Sequence, residues 1–117
     1  MRLLSLSLCI AALAVAPAAS AKPTPLTGTV GPELTITLTT ADGKLVKSLK
    51  AGTYAITVVD KSAIHNFHLI GKGVNKVITD IPFRGKKTVV VTLKPGRVIF
   101  QCDPHSDSMK GSFTVTP

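Results

Sequence analysis

Tryptophan is absent from this 117-residue chain, and aromatic side chains are scarce, with four Phe and one Tyr. A hydrophobic core must therefore be built mainly from Val, Ile and Leu. The abundance of β-branched residues and Thr favours sheet over helix. The length suits one domain and is too short for two. The first expectation is a single domain that is rich in sheet.

A sustained 3.6-residue apolar period is missing from the chain beyond residue 21, and this argues against amphipathic helices. Short alternating segments separated by turn residues take its place, as where Leu34, Ile36 and Leu38 share one face. The predicted strands span 33–40, 45–49, 53–60, 65–69, 87–93, 97–102 and 111–116, with an irregular crossing segment at 74–81. Seven or eight such strands predict an all-β fold, an antiparallel Greek-key β-sandwich.

Acidic residues are few, since six Asp and Glu stand against 14 Lys and Arg, for a net charge of +8. Nucleic-acid binding is not expected, because few aromatic side chains are available and the chain is predicted to be exported. Most of the lysines are expected to be solvated surface. Their functional interpretation is that a positive surface steers docking to an acidic partner protein.

A long apolar run occurs at the N-terminus, within residues 1–21. Arg2 provides a positive start, residues 3–16 are apolar, and Ala19-Ser20-Ala21 is a small-residue cleavage site. This pattern predicts a signal peptide and export to the periplasm or the medium. Stable membrane insertion is disfavoured, because the run is shorter than the roughly 20 apolar residues that a spanning helix needs.

The mature chain is predicted to begin at Lys22. Residues 22–27 are polar and contain two prolines, so we expect a flexible lead-in there. The predicted domain then spans 28–117.

Cysteine is nearly absent from the predicted mature chain. Cys9 would leave with the signal peptide, so Cys102 would remain alone in a compartment where thiols normally pair. A lone thiol could be buried and inert, or could form an intermolecular disulfide. The nearby His105 and Met109 favour a third interpretation, a metal-bound thiolate that is protected from oxidation and exchange.

The segment from Cys102 to Met109 brings together the ligand types that copper prefers. Two His and one Cys in a trigonal site with a weak axial Met are typical of electron-transfer copper. Cys102 and His105 are an odd number of residues apart, so a continuous strand would point them to opposite faces. Pro104 would end the strand and turn His105 back toward the sulfur. The remaining ligand must then be His65 or His68.

Two segments resemble the cupredoxins, the blue copper proteins of the plastocyanin and azurin kind. One is His65-Asn66 followed by an apolar residue, and the other is Cys102-Asp103-Pro104-His105 with Met109 following. The resemblance covers roughly residues 28–117. It implies one mononuclear copper ion with His65, Cys102 and His105 as equatorial ligands and Met109 as the axial ligand. It also implies that Asn66 and Pro104 support the ligands, Asn66 by tying the two loops together.

The choice between the two upstream histidines rests on two observations. The ligand of the family directly precedes Asn, which favours His65. If Phe67 and Leu69 point into the core, His68 points to water while His65 shares their face, and this also favours His65. His68 stays the alternative.

The resemblance implies a type 1 copper protein that carries single electrons between redox partner proteins and is not an enzyme. A monomer is the expectation for a carrier that binds its partners transiently. The alternative is a periplasmic protein that binds and passes on copper, although such sites usually contain more Met or paired Cys. An Ig-like structural domain with coincidental ligands is less consistent with the motif. Structural zinc is disfavoured, because one Cys, two His and a Met are not a usual closed zinc set.

Overall fold

The computed structural model describes residues 22–117, which form two β-sheets packed face to face. The predicted signal peptide at 1–21 lies outside the described residues. The strands are β1 (Thr24–Val30), β2 (Ile36–Thr40), β3 (Ser48–Lys50), β4 (Gly52–Asp60), β5 (Phe67–Gly71), β6 (Val74–Thr79), β7 (Gly85–Leu93), β8 (Gly96–Gln101) and β9 (Lys110–Thr116). A 3-10 turn spans Asp103–His105 between β8 and β9. The predicted all-β sandwich is confirmed. Among residues 22–117, no helix has the length and apolar character needed to cross a membrane.

The topology differs in two respects from the predicted antiparallel sandwich of seven or eight strands. One sheet has the order β2-β1-β4-β7 and the other β3-β9-β8-β5-β6, so the strands number nine within the described part of the chain. Two pairs, β1 with β4 and β3 with β9, are parallel, and both sheets are therefore mixed. Alternation along a strand shows which face is buried but not which strand lies beside it, and the sequence pattern could not reveal these pairs.

Three predicted segments need correction. The flexible lead-in at 22–27 is wrong for its last four residues, because β1 begins at Thr24 and Leu26 is buried opposite Ile56 of β4. Leu34 is exposed rather than inward, since Gly31 N–H donates to Thr35 O and holds residues 31–35 in a turn before β2. The crossing segment at 74–81 is for the most part the strand β6, which pairs with β5, and its irregularity is confined to a shift of register near Ile78.

The core lies between the two sheets and contains more aromatic side chain than the composition suggested. Phe67 and Phe100 stack with ring centroids 5.7 Å apart, and Phe113 lies against Phe100 at 6.4 Å. Aliphatic side chains such as Ile56 and Val58 from the opposite sheet complete this layer. Three of the four phenylalanines are thus concentrated in one place, below the loops that follow β4 and β8.

The Phe100 ring occupies space that is free because Gly111 has no side chain. Gly111 lies opposite Phe100 in the β8–β9 pair, and a Cβ at this position would come within 2.5 Å of ring atom Cε2. The ring cannot move away easily, because it stacks on Phe67. Gly111→Ala is therefore expected to lower the free energy of unfolding by about 1–3 kcal/mol, as overpacking does.

Urea unfolding of the metal-free protein measures the effect of Gly111→Ala. Thr114→Ala is the control, because Thr114 is on the same strand with an exposed side chain. Equal losses for the two variants would mean that the Phe100 ring does not need the space.

Candidate metal centre

The loop between β4 and β5 holds His65 in the interior. Asp60 Oδ1 accepts a hydrogen bond from Ser62 N–H at 3.1 Å, and His65 N–H donates to Ser62 O at 3.4 Å, so two successive turns shape the loop. His65 is 1% exposed although it lies in the loop, two residues before β5 begins. The loop thus holds the His65 imidazole beneath the surface at one end of the sandwich.

The segment after β8 folds back on itself and closes a tight loop. His105 N–H donates to Cys102 O at 3.1 Å, and Met109 N–H donates to His105 O at 2.7 Å. Cys102 N–H donates to Met109 O at 3.0 Å, which joins the start and the end of the loop. Pro104 stands inside the 3-10 turn, where its missing N–H costs nothing. The turn brings His105 back toward Cys102, as the odd spacing required.

Three side chains converge on one point at this end of the sandwich. His65 Nδ1 and His105 Nδ1 are 3.2 Å apart, and Cys102 Sγ lies 3.6 Å from each of them. A circle through these three atoms has a radius of about 2.0 Å, which is close to the bond lengths from first-row metals to imidazole nitrogen. The atoms are therefore spaced as the corners of a trigonal metal site, and the three residues could hold one metal ion.

The exposure of the cluster is uneven. Cys102 is fully buried and His65 nearly so, whereas His105 is half-buried. A buried thiol whose neighbours are two imidazole nitrogens is shielded from oxidants and from other thiols. His105 is consequently the member of the cluster that reaches toward the surface.

Met109 is fully buried and packs in the same core cluster as Cys102. Its backbone is held opposite Cys102 by the hydrogen bond that closes the loop. The side chain is thus kept on the inner side of the loop and away from water. Its role as an axial ligand stays a prediction.

Asn66 ties the two loops together. Its side-chain amide donates to Asp103 Oδ2 at 2.9 Å, and its carbonyl oxygen accepts from Asp103 N–H at 2.7 Å. Asn66 is 3% exposed, whereas Asp103 is exposed, so the pair of hydrogen bonds is partly buried. Because Asn66 follows His65 and Asp103 follows Cys102, the pair fixes the distance between an imidazole and the thiol.

His68, the alternative ligand, lies outside the cluster. Its Nδ1 contacts Asp103 Oδ1 at 2.9 Å, and its Nε2 contacts Asn75 Oδ1 at 2.5 Å. It lies on the face opposite Phe67 and Leu69, as strand parity predicted, and its side chain is 17% exposed and engaged at both nitrogens. Both nitrogens face oxygen acceptors, so both can donate only when the ring is protonated.

The same contacts displace two pKa values. Burial alone would lower the pKa of His68, but the hydrogen bonds to Asn75 and Asp103 and the charge of Asp103 outweigh it and raise that pKa. For Asp103, burial would raise the pKa, but hydrogen bonds from Gln101, Asn66 and His68, together with the charge of His68, lower it. The contacts therefore favour a charged pair beside the cluster.

This pair makes a testable contribution to the pH dependence of stability. The pKa of His68 is higher in the folded protein than its unfolded value of 6.5, so protonated His68 stabilises the fold. This stabilisation is fully present below pH 6.5 and is lost as the pH rises through the folded pKa. We expect His68→Gln to cost the metal-free protein up to about 1 kcal/mol at pH 5.5, discounted for the exposure of Asp103, and less at pH 8. Urea unfolding at both pH values measures the difference. A cost that is the same at both would contradict the pairing.

Sequence reasoning missed the network of His68, Asp103, Asn75 and Gln101. His68 and Asp103 are 35 residues apart, and neither residue type nor periodicity pairs them. The available signal was the position of Asp103, directly after the candidate ligand Cys102. A carboxylate there would be expected to find a partner on the neighbouring strand.

Comparison with solved structures identifies the fold. Rusticyanin, described as a copper protein, superposes with a TM-score of 0.58 over 83% of this chain and 80% of its own, at 17% identity. A rusticyanin variant gives 0.60 at 18% identity, covering 83% of this chain and 79% of its own. An oxidized amicyanin variant gives 0.50 at 14% identity, covering 77% of this chain and 80% of its own. No protein-family model matches the chain, and no curated protein matches it by sequence.

The two-sheet architecture, with the His65, Cys102 and His105 cluster at one end, thus matches a known fold. The chain has the cupredoxin fold, as the resemblance of its two motifs implied. The chain is similar in structure to rusticyanin and amicyanin, and at these identities the likeness concerns the fold.

Proposed function

We propose that the protein binds one copper ion through His65, Cys102 and His105, with Met109 as a weak fourth ligand, and carries single electrons between redox proteins. The convergence of two imidazole nitrogens and one sulfur on a point about 2.0 Å from each carries the proposal. The donor types support copper, because thiolate and thioether select it over harder metals. Rusticyanin, whose fold this chain shares, is a copper protein.

Bound copper would supply a one-electron couple between Cu(I) and Cu(II). The residues of the chain provide the rest of the function. The Asn66–Asp103 hydrogen bonds hold the two loops at a fixed separation, so little has to move when the charge of the site changes. The fully buried Cys102 keeps water away from the sulfur, and the half-buried His105 offers the route for an electron to the surface.

The proposal also covers the domain boundaries, the oligomeric state and the location of the protein. Residues 28–117 would be the copper-binding domain, acting as a monomer that transforms no substrate. Residues 1–21 would direct export and be removed, placing the protein in the periplasm or the medium. In that location the single remaining thiol would be protected by its metal.

Repeated redox cycling tests the carrier function against the copper-handling alternative. The copper-loaded protein is reduced with ascorbate and reoxidised with ferricyanide in the presence of a Cu(I) chelator, and bound copper is measured after each cycle. A carrier keeps its copper through every cycle and recovers its oxidised spectrum. Loss of copper to the chelator on the first reduction would contradict the proposal and support copper transfer.

A further inference from the structure

Positive charge is distributed unevenly over the sandwich. Residues 22–117 carry 13 basic and six acidic side chains, a net of +7, and residues 72–94 account for +5 of it. That stretch contains a single acidic residue, Asp80. Its six basic residues are all exposed: Lys72, Lys76, Arg84, Lys86, Lys87 and Lys94.

The topology places this charge on one side of the molecule. β6 is the edge strand of one sheet, β7 is the edge strand of the other, and the two strands contact each other. The Lys94 side chain lies against Gly73, which links the end of β7 to the start of β6. We call the exposed surface of residues 72–94 the β6–β7 face.

A shallow groove with apolar and basic walls runs along this face. Its volume is about 310 Å³, and its lining includes Val74, Lys76, Val90 and Lys94. Val90 is 62% exposed near the middle of β7 and contributes apolar surface to the groove. An apolar centre with a charged rim is the usual composition of a docking surface between proteins.

The charge decides which partner fits the face. Lysines on an edge strand oppose pairing with a second copy of this chain, which would bring six more basic residues against them. Binding to single-stranded nucleic acid usually relies on exposed aromatic side chains, and on this face only Phe83 is available. A protein surface with Asp and Glu around an apolar patch complements the face, because its carboxylates pair with the lysines and its patch covers the groove.

Hydrogen bonds connect the face with the metal centre. Asn75 of β6 contacts His68, and His68 contacts Asp103, which is bonded in turn to Asn66 beside His65. The start of β7 lies at the metal end of the sandwich, because Gly85 pairs with Asp60 just before the loop that holds His65. A protein bound at Lys86 and Lys87 would therefore lie next to that loop, and the groove beside Gly73 and Lys94 extends the face toward the other end of the same strands. We infer that the β6–β7 face is the docking surface for an acidic redox protein. This inference rests on the proposed function for the redox character of the partner, and on the charge and topology for its acidity.

Two double variants with the same change in charge test whether the β6–β7 face is the docking surface. Lys86→Glu/Lys87→Glu alters the exposed start of β7. Lys47→Glu/Lys50→Glu alters exposed residues at β3, the opposite edge of the β6-containing sheet. The probes are cytochrome c with succinylated lysines, which is acidic, and native cytochrome c, which is basic and performs the same redox chemistry.

Two readouts separate docking from electron transfer. NMR titration of the metal-free, nitrogen-15-labelled protein with reduced succinylated cytochrome c shows which amides the probe contacts. Stopped-flow mixing of the oxidised copper protein with each reduced cytochrome gives the rate of electron transfer, at about 20 mM and again at about 300 mM ionic strength so that screening can be assessed.

If the β6–β7 face is the docking surface, we expect amide shifts concentrated in β6 and β7. We also expect electron transfer from the acidic probe to be at least about tenfold faster than from the basic probe at low salt. Lys86→Glu/Lys87→Glu is expected to lower that rate about tenfold, and Lys47→Glu/Lys50→Glu less than about threefold. Equal losses for the two variants, or shifts spread over the whole surface, would overturn the inference, because net charge alone would then explain the rate.

The remaining outcomes are also decisive. Shifts confined to the β6–β7 face without electron transfer would support the docking surface and count against the proposed function. Electron transfer with amide shifts confined to another surface would support the proposed function and overturn the docking surface. Tighter binding of a DNA oligonucleotide than of the acidic probe, lost in Lys86→Glu/Lys87→Glu, would overturn the assignment to a protein partner.

Discussion

Cys102→Ser is expected to abolish the intense visible absorption of the Cu(II)-loaded protein. That absorption arises from charge transfer between a thiolate and Cu(II), and a serine hydroxyl cannot supply it. Copper affinity should fall by about a hundredfold or more, since even residues outside the ligand shell change metal affinity 10- to 100-fold. The fold should persist, because serine is close to cysteine in size and the loop is closed by backbone hydrogen bonds.

His68→Gln is the matched control for this variant. His68 is a histidine of the same region, but it contacts Asp103 and Asn75 instead of the cluster. The absorption band of His68→Gln should therefore be retained with its intensity nearly unchanged. A band that survives in Cys102→Ser, or disappears in His68→Gln, would show that the ligand set is wrong.

Phe67→Ala is expected to have the largest effect on stability. Phe67 is fully buried, stacks on Phe100 and follows Asn66, so its loss opens a cavity directly beneath the metal loops. Truncation of a buried Phe costs about 3–5 kcal/mol, a large share of the stability of a domain of this size. The melting temperature should fall by roughly 4–8 °C for each kcal/mol.

Calorimetry or urea unfolding of the metal-free protein measures this loss. Phe83→Ala is the control, because Phe83 is 37% exposed in the connection between β6 and β7. Its cost should be a fraction of that of Phe67→Ala. Similar costs for the two variants would mean that the stacked phenylalanines do not form the centre of the core.

Local chemistry in the sequence predicted the end of the molecule that carries the cluster. The spacing of Cys102 and His105 and the proline between them required a turn, and the structure has a 3-10 turn there. Strand parity favoured His65, and His65 Nδ1 lies 3.6 Å from Cys102 Sγ. The turn is confirmed, and the ligand role of His65 stays a prediction that its position in the cluster supports. Both inferences depend on residues a few positions apart.

Contacts between distant segments were beyond the same reasoning. The parallel pairing of β1 with β4, which turned Leu26 from a lead-in residue into core, depends on which strand lies next to which. The contact between His68 and Asp103 depends on the same kind of information. Alternation of apolar residues fixes a face and leaves the neighbours open, so these features could be learned only from the three-dimensional arrangement.

The central claim is that His65, Cys102 and His105 hold one copper ion, and X-ray absorption at the copper edge of the loaded protein tests it most directly. The geometry predicts one sulfur and two imidazole nitrogens in the first shell, with the nitrogens at about 2.0 Å. One equivalent of copper should give this shell, and Cys102→Ser should lose the sulfur. A shell made only of nitrogen and oxygen in the unaltered protein would contradict the account.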